Sequence, residues 1–211
     1  MSYDGPVSRY LNRPLSRPMA RALSSTPATP NALTGATLVL AVIAAGMLAM
    51  GWNIAGGIGI QMVSVLDGVD GELARLKSMA TRFGAVFDAV TDRYADALLL
   101  GGMTVYAVRF EDLPRAEVVG ALALAGALIV SYSRARIEAD LPEALIGGRL
   151  DAIFGLASRD VRSLIAAVGA FAGQCYWTLV ILAVVCALTV TWRLVYLRAN
   201  GIGAPVSPPA D

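Results

Sequence analysis

The chain has 211 residues, of which 56% are hydrophobic and only 16% are charged, whereas soluble domains carry about 25% charged residues. This shortage of charge, together with a mean hydropathy of +0.62, predicts an integral membrane protein. The absence of histidine excludes Ser-His-Asp triads and histidine-ligated zinc, and two cysteines are too few for a thiolate metal site. The net charge of +1 offers no basic excess for binding nucleic acid.

Residues 1–29 are predicted to form a cytoplasmic arm that lies on the membrane surface. Apolar side chains recur every four residues, at Val7, Leu11, Leu15, Met19 and Leu23. Arginines recur at the same interval, two residues out of phase, at Arg9, Arg13, Arg17 and Arg21. A helix would place the two stripes on opposite faces, as in an amphipathic interfacial helix on anionic lipid; the alternative is a solvated basic arm. Pro14 and Pro18 predict that this helix is broken.

Residues 30–198 are predicted to form a domain of six transmembrane helices, since a span needs about 20 apolar residues. The candidate spans are residues 32–50, 54–66, 85–108, 118–133, 164–173 and 176–195. Basic residues fall on alternate connections, which places both termini in the cytoplasm. The tail, residues 199–211, is rich in Gly and Pro and is predicted to be disordered. The predicted fold is thus an all-α, multi-pass protein of the cytoplasmic membrane.

Four aspartates lie just after span two and within the first part of span three: Asp67, Asp70, Asp88 and Asp92. Their spacing places the first two on one helix face and the last two on a face of the next helix. Because the connection is short, we expect these helices to be antiparallel neighbours whose acidic faces meet at the cytoplasmic edge of the membrane. Ligands that are all oxygen point to Mg²⁺ or Mn²⁺. Carboxylates from two helices can bridge two such ions, which suits in-line displacement at phosphorus.

Small residues accompany these acids. Gly71 and Ala74 lie on the face of Asp67, and Gly84 begins the facing helix. The missing side chains would let a phosphorylated ligand approach the backbone closely. The alternative is that they permit tight helix packing. Their position beside four aspartates favours the ligand interpretation.

The pattern D-x2-D-G-x2-A-R-x8-G-x3-D-x3-D runs from Asp67 to Asp92, and every fixed position is filled, including Arg75. It resembles the signature of the CDP-alcohol phosphotransferase family, and the six predicted spans extend the resemblance over nearly the whole chain. The resemblance implies that a CDP-linked alcohol binds with its pyrophosphate on two metal ions. An acceptor hydroxyl would then attack the β-phosphorus, and CMP would leave. It also implies a homodimer, and the topology implies an active site that faces the cytoplasm.

The same resemblance assigns roles to individual residues. Asp67, Asp70 and Asp88 would ligate metal, and Asp92 would contact the second metal and act as the general base. The donor nucleotide would be bound by Asp67, Asp70, Gly71, Ala74, Arg75 and Gly84. Asp96, one turn beyond Asp92, is interpreted either as a support for the metal ligands, which we favour, or as the partner of an arginine.

Four arginines near the cytoplasmic ends of spans four and five are predicted to bind the acceptor phosphate: Arg134, Arg136, Arg159 and Arg162. Guanidinium groups suit phosphate, although ordinary positive-inside charge is the alternative for each. The layout is similar to the family branch that uses inositol phosphate as acceptor. Within that branch, the N-terminal stretch, the run VLDGVDGELARLK with TDRYAD, and the segment SRDVRSL are most similar to the members that use CDP-inositol. This resemblance implies CDP-inositol as donor and di-inositol phosphate phosphate as product. The alternative is phosphatidyl transfer from CDP-diacylglycerol to inositol phosphate or another polar alcohol.

The family members that use CDP-inositol often carry a fused nucleotidyltransferase domain, for which this chain is too short. We therefore expect the CDP-alcohol to come from a separate protein. A different class of protein, a divalent-cation carrier, also places acids within a membrane. A carrier is expected to hold them near the midplane in repeated halves, whereas one segment carries them here. This contrast favours an enzyme.

Overall fold

The computed structural model describes residues 7–140 and 157–199. These residues form helices and no strand, which confirms the all-α class. The α-helices, numbered in chain order, are α1 (Arg13–Ser24), α2 (Pro30–Ala49), α3 (Asn53–Leu76), α4 (Arg82–Tyr106), α5 (Ala116–Asp140), α6 (Arg159–Phe171) and α7 (Cys175–Ala199). π-Helical turns precede α1 and follow α4, at Ser8–Asn12 and Ala107–Glu111. Apart from Ala199, the predicted tail lies outside the described residues.

Each of the six predicted spans coincides with one helix, from α2 to α7. Within residues 7–140 and 157–199, three helices are long and apolar enough to cross a membrane, namely α2, α5 and α7. The helices α3 and α4 have 24 and 25 residues, a sufficient length for a span, but both carry several acidic residues. The helix α6 has only 13 residues. The structure therefore supports a multi-pass membrane protein, and the number of six spans stays a prediction.

The helix α2 packs along both α3 and α4. Small residues allow this close approach. A Cβ added at Gly59 of α3 would lie 2.5 Å from the Cβ of Ala44, and one added at Gly102 of α4 would lie 2.7 Å from the carbonyl oxygen of Ala45. In the described part of the chain, α3 and α4 are not a closely packed pair. The prediction that they are direct neighbours is therefore wrong, because α2 lies between them.

The N-terminal arm docks on α3. Its buried residues recur every four positions, at Asn12, Ser16 and Ala20, and Asn12 Nδ2 donates a hydrogen bond to Ser64 Oγ at 2.9 Å. The apolar stripe stays exposed at Leu11, Leu15 and Met19, as an interfacial helix requires. The prediction of a broken helix is wrong, because α1 continues through Pro18. Contacts with α3 offset the loss of the backbone hydrogen bond that a proline cannot make.

The remaining helices complete the bundle and its core. The helix α6 packs on α3, and α5 packs on α7. Side chains from four helices fill the centre, including Leu48, Ile60, Met103 and Leu179, each at most 1% exposed. This arrangement carries the first turn of α6 to the acidic segments of α3 and α4, where the candidate site lies.

Candidate active site

Three aspartates converge between α3 and α4. Asp67, Asp88 and Asp92 each offer a carboxylate oxygen, and these oxygens all lie within 4.8 Å of one another. The acidic faces therefore meet as predicted, although the two helices are held apart along most of their length. The fourth predicted ligand, Asp70, is turned toward α2, where Thr34 Oγ1 donates a hydrogen bond to its carboxylate at 2.7 Å.

The oxygen cluster suits a hard divalent cation. Carboxylate oxygens are the ligands that Mg²⁺ and Mn²⁺ prefer. In addition, Asp88 Oδ1 is buried and has no hydrogen-bond partner among the described residues. Such an orphaned acceptor is costly unless a cation or another donor satisfies it. The donor set of Asp67, Asp88 and Asp92 therefore fits a metal ion.

Arg159, from the first turn of α6, neutralises part of the charge of this cluster. Its guanidinium forms an ion pair with Asp67 and lies 3.1 Å from Asp92 Oδ1 and 3.3 Å from Asp96 Oδ1. Asp96 also accepts a hydrogen bond from Arg162 Nη2 at 3.0 Å. Asp96 thus pairs with two arginines of α6, and through Arg159 it is linked to the predicted metal ligands.

A pocket of about 640 Å³, counted with its open mouth, adjoins the acid cluster. This volume is within the range of small-molecule sites, about 300–1,000 Å³. Six of the eight signature residues line it: Asp70, Gly71, Ala74, Arg75, Gly84 and Asp88. The start of α2 closes one side with Pro30, Asn31 and Thr34. Because Asp88 belongs to both the pocket and the acid cluster, a ligand in this pocket has one end at the candidate metal site.

The two glycines of the signature differ in their surroundings. A Cβ added at Gly71 would have its nearest neighbour, Arg75 Nη1, at 3.9 Å, so helix packing does not require a glycine there. A Cβ added at Gly84 would lie 3.1 Å from Thr81 Oγ1 and 3.2 Å from Asn31 Oδ1. The small size of Gly84 therefore also allows the N-terminal cap of α4, in which Thr81 Oγ1 accepts a hydrogen bond from the backbone N–H of Gly84. Of the two glycines, only Gly71 has no role in packing or capping, so the ligand interpretation alone accounts for it.

Arg75 stands at the exposed side of this pocket. Its Nη2 donates a hydrogen bond to Glu72 Oε2 at 2.7 Å, and this bond lowers the pKa of the Glu72 carboxyl. Glu72 lies beyond the predicted span of residues 54–66, on the C-terminal part of α3. The carboxylate is therefore charged at neutral pH and orients the guanidinium of Arg75.

The four arginines predicted to bind the acceptor phosphate do not form one group. Arg134 pairs with Glu138 at 2.8 Å, and Arg136 pairs with Asp140 at 2.6 Å, both near the end of α5. Arg159 instead contacts Asp67 and Asp92 of the acid cluster, and both Arg159 and Arg162 contact the neighbouring Asp96. The structure thus places two of the four at the acidic cluster and two along α5.

Arg193 of α7 is a polar residue that the sequence analysis left out of the site. Its side chain is 1% exposed and donates hydrogen bonds to the carbonyl oxygen of Val130 and to Ser133 Oγ, both at 2.7 Å. Its charge lies within electrostatic range of Arg134 and Arg162. In the sequence it lies at the end of the apolar span 176–195 and cannot be distinguished from an ordinary positive-inside residue, because only the packing of α5 on α7 buries it.

Comparison with known proteins places these features in a family context. A family model described as CDP-alcohol phosphatidyltransferase matches residues 27–191. The bifunctional IPC transferase and DIPP synthase of Rubrobacter xylanophilus is 46% identical over 172 residues, which are 81% of this chain and 37% of that protein. A phosphatidylinositol phosphate synthase of Corynebacterium glutamicum is 34% identical over 143 residues, covering 67% and 62%. The chain spans less than half the length of the bifunctional relatives that it matches.

Solved structures show the same fold. The crystal structure of Mycobacterium tuberculosis phosphatidylinositol phosphate synthase with CDP-DAG bound has a TM-score of 0.73 and 26% sequence identity, covering 92% of this chain and 100% of that one. The crystal structure of that enzyme with manganese and citrate has a TM-score of 0.68 and 26% identity, covering 93% and 96%.

Proposed function

The chain belongs to the CDP-alcohol phosphatidyltransferase family, and on this basis we propose that it transfers a substituted phosphoryl group from a CDP-alcohol to the hydroxyl of a second alcohol, with release of CMP. One observation carries the proposal: the oxygens of Asp67, Asp88 and Asp92 lie within 4.8 Å of one another, and Asp88 also lines the pocket formed by the signature residues. A donor nucleotide in that pocket would place its pyrophosphate at the acids.

In this proposal, the acids bind the pyrophosphate of the donor through metal ions, and the pocket binds its nucleotide. Asp67, Asp88 and Asp92 would hold divalent cations, with Asp70 as the fourth ligand, and two such ions are what the family resemblance implies. When bound there, Mg²⁺ or Mn²⁺ supplies positive charge that offsets the charge of the pyrophosphate. Gly71 and Ala74 leave room for the nucleotide, and Arg75 supplies a guanidinium at the mouth. A solved relative bound to manganese supports this assignment.

Asp92 is proposed as the general base. Its carboxylate would accept the proton of the acceptor hydroxyl while the oxygen forms a bond to the β-phosphorus of the donor. The bond between the β-phosphorus and the bridging oxygen breaks, and CMP leaves with that oxygen. Arg159, 3.1 Å from Asp92 Oδ1, holds the carboxylate in place by its position between Asp92 and Asp67.

The acceptor is proposed to be phosphorylated, with inositol phosphate as the preferred candidate. The best specific reaction joins CDP-inositol to inositol phosphate and makes di-inositol phosphate phosphate, and the relative with 46% identity supports this reaction. Phosphatidyl transfer from CDP-diacylglycerol is the second candidate, favoured by a fold neighbour bound to CDP-DAG. Arg134, Arg136, Arg159 and Arg162 are the proposed acceptor-phosphate residues.

The same proposal includes the setting of the enzyme. The six helices α2 to α7 would cross the cytoplasmic membrane, with both termini and the acid cluster on the cytoplasmic side and α1 in the lipid interface. The alternation of basic connections supports this topology. We also propose a homodimer, which the mass of the detergent-solubilised protein, corrected for detergent, would test.

A CMP-release assay tests the reaction and both substrates at once. The purified protein is offered CDP-inositol or CDP-diacylglycerol, each with inositol or inositol phosphate, in the presence of Mg²⁺ or Mn²⁺. We expect CMP only when donor, acceptor and metal are all present, and fastest with CDP-inositol and inositol phosphate. If the wild type releases CMP and the Asp67→Asn variant releases none with either donor, the activity depends on the acid cluster. No release from the wild type under any combination, with cation flux into vesicles instead, would favour the carrier.

A further inference from the structure

Glu72 joins the N-terminal arm to the pocket. Its Oε2 accepts a hydrogen bond from Arg13 Nη1 of α1 at 2.9 Å and another from Arg75 Nη2 of α3 at 2.7 Å. One carboxylate is thus shared by two guanidinium groups, so the trio carries a net positive charge. Arg75, the member that lines the pocket, is also the most exposed, with 57% of its side chain accessible against 18% for Arg13 and 22% for Glu72.

An exposed arginine has many rotamers, and fixing one of them costs free energy when a ligand binds. A carboxylate one turn away offsets this cost by holding the guanidinium before the ligand arrives. A free glutamate on the surface would itself be mobile. Here Arg13 binds the same oxygen, and this second hydrogen bond restrains Glu72.

Arg13 can do this because the arm is anchored on both of its sides. Upstream, the backbone N–H of Ser8 donates a hydrogen bond to Asp160 of α6, and Asn12 Nδ2 donates one to Ser64 Oγ. Downstream, Lys77 Nζ donates hydrogen bonds to the carbonyl oxygens of Thr26 and Ala28 at 2.6 and 2.7 Å. The arm is therefore a fixed support rather than a loose extension.

We propose that Arg13 and Glu72 are positioning residues that preset Arg75 for the phosphates of the donor nucleotide, so that the interfacial arm contributes to donor binding without contacting the donor. The inference rests on the proposed function, because Arg75 acts on a CDP-alcohol only if the pocket binds one. The chemistry is specific to the donor side of the reaction.

The test compares Arg13→Gln, Glu72→Gln and Arg75→Gln with Arg21→Gln, which removes the same charge from an exposed position on the same arm. Donor KM, acceptor KM and kcat are measured, and CDP binding is measured by titration calorimetry. We expect Arg13→Gln and Glu72→Gln to raise donor KM and CDP Kd about tenfold, the effect of one lost hydrogen bond to a charged group. Acceptor KM and kcat should change less than about twofold, and Arg21→Gln should match the wild type.

The decisive comparison is made in the Arg75→Gln background. If Arg13 and Glu72 act through Arg75, their substitution there should raise donor KM no further. A further rise of the same size would show that they act on overall structure instead and would overturn the inference. An unchanged donor KM in the single variants, with wild-type turnover intact, would also overturn it but would leave the proposed function standing. Absence of CMP release and of CDP binding in the wild type would refute the proposed function itself.

Discussion

Substitution of Gly71 by alanine separates the two interpretations of the small residues in the signature. The added Cβ would have only Arg75 Nη1 near it, at 3.9 Å, so the free enzyme should tolerate it without a clash. Alanine in place of a helical glycine gains about 1 kcal/mol, which raises the midpoint of thermal unfolding by about 2–4 °C for a chain of this size. If the ligand approaches the backbone at Gly71, the same methyl group costs about 1–3 kcal/mol of donor binding, or roughly a tenfold to a hundredfold rise in donor KM.

Two other glycines provide matched controls in thermal unfolding of the detergent-solubilised protein and in CMP release. Gly101 of α4 has nothing within 4 Å of an added Cβ and lies outside the pocket, so Gly101→Ala should gain stability and keep the wild-type donor KM. Gly102→Ala would place its Cβ 2.7 Å from the carbonyl oxygen of Ala45 and should be destabilised. An unchanged donor KM for Gly71→Ala would refute close approach of the donor to this backbone, and a loss of stability would refute the description of an open position.

Three further predictions test other parts of the molecule. Asp92→Asn should lower kcat about 10²- to 10⁴-fold while CDP binding is retained, since the general base is lost and the nucleotide pocket is not; undiminished CMP release would remove this role. Arg134→Ala should raise acceptor KM about tenfold and leave donor KM unchanged, and equal effects on both would argue against a separate acceptor subsite. Glu111 accepts the backbone N–H groups of Cys175 and Tyr176 at 2.5 and 2.7 Å, so Glu111→Gln should lose about 1–2 kcal/mol, seen as a lower unfolding midpoint; an unchanged midpoint would show that this cap adds no stability.

The aspartates show which parts of the site helical periodicity alone can predict. Asp88 and Asp92 are four residues apart on one helix and therefore share a face in any fold that keeps the helix. Their meeting with Asp67 was predictable from the short connection between α3 and α4. The orientation of Asp70 was not, because it depends on Thr34 of α2, a helix whose position between α3 and α4 leaves no local trace in the acidic segment.

The N-terminal arm gives a second example. Its spacing of four predicted the helix and its exposed apolar stripe, which Leu11 and Leu15 confirm. The docking stripe that includes Asn12 and Ser16 was missed, because small and polar residues resemble a solvent-facing surface unless the partner helix is known. The same docking explains why Pro18 does not break α1.

By itself, the sequence determined the all-helical membrane class, the order of the helices along the chain and the residue types that can hold a divalent cation, because hydropathy and helical spacing are local properties. The tertiary structure decided which charges meet. Arg159 lies 67 positions beyond Asp92 in the chain, yet its guanidinium neutralises part of the charge of the acid cluster. Arg193, in turn, is buried against α5. Contacts between helices distant in sequence depend on the packing of small-residue faces such as Gly59 on Ala44, and a pattern read along one helix contains no information about its partner.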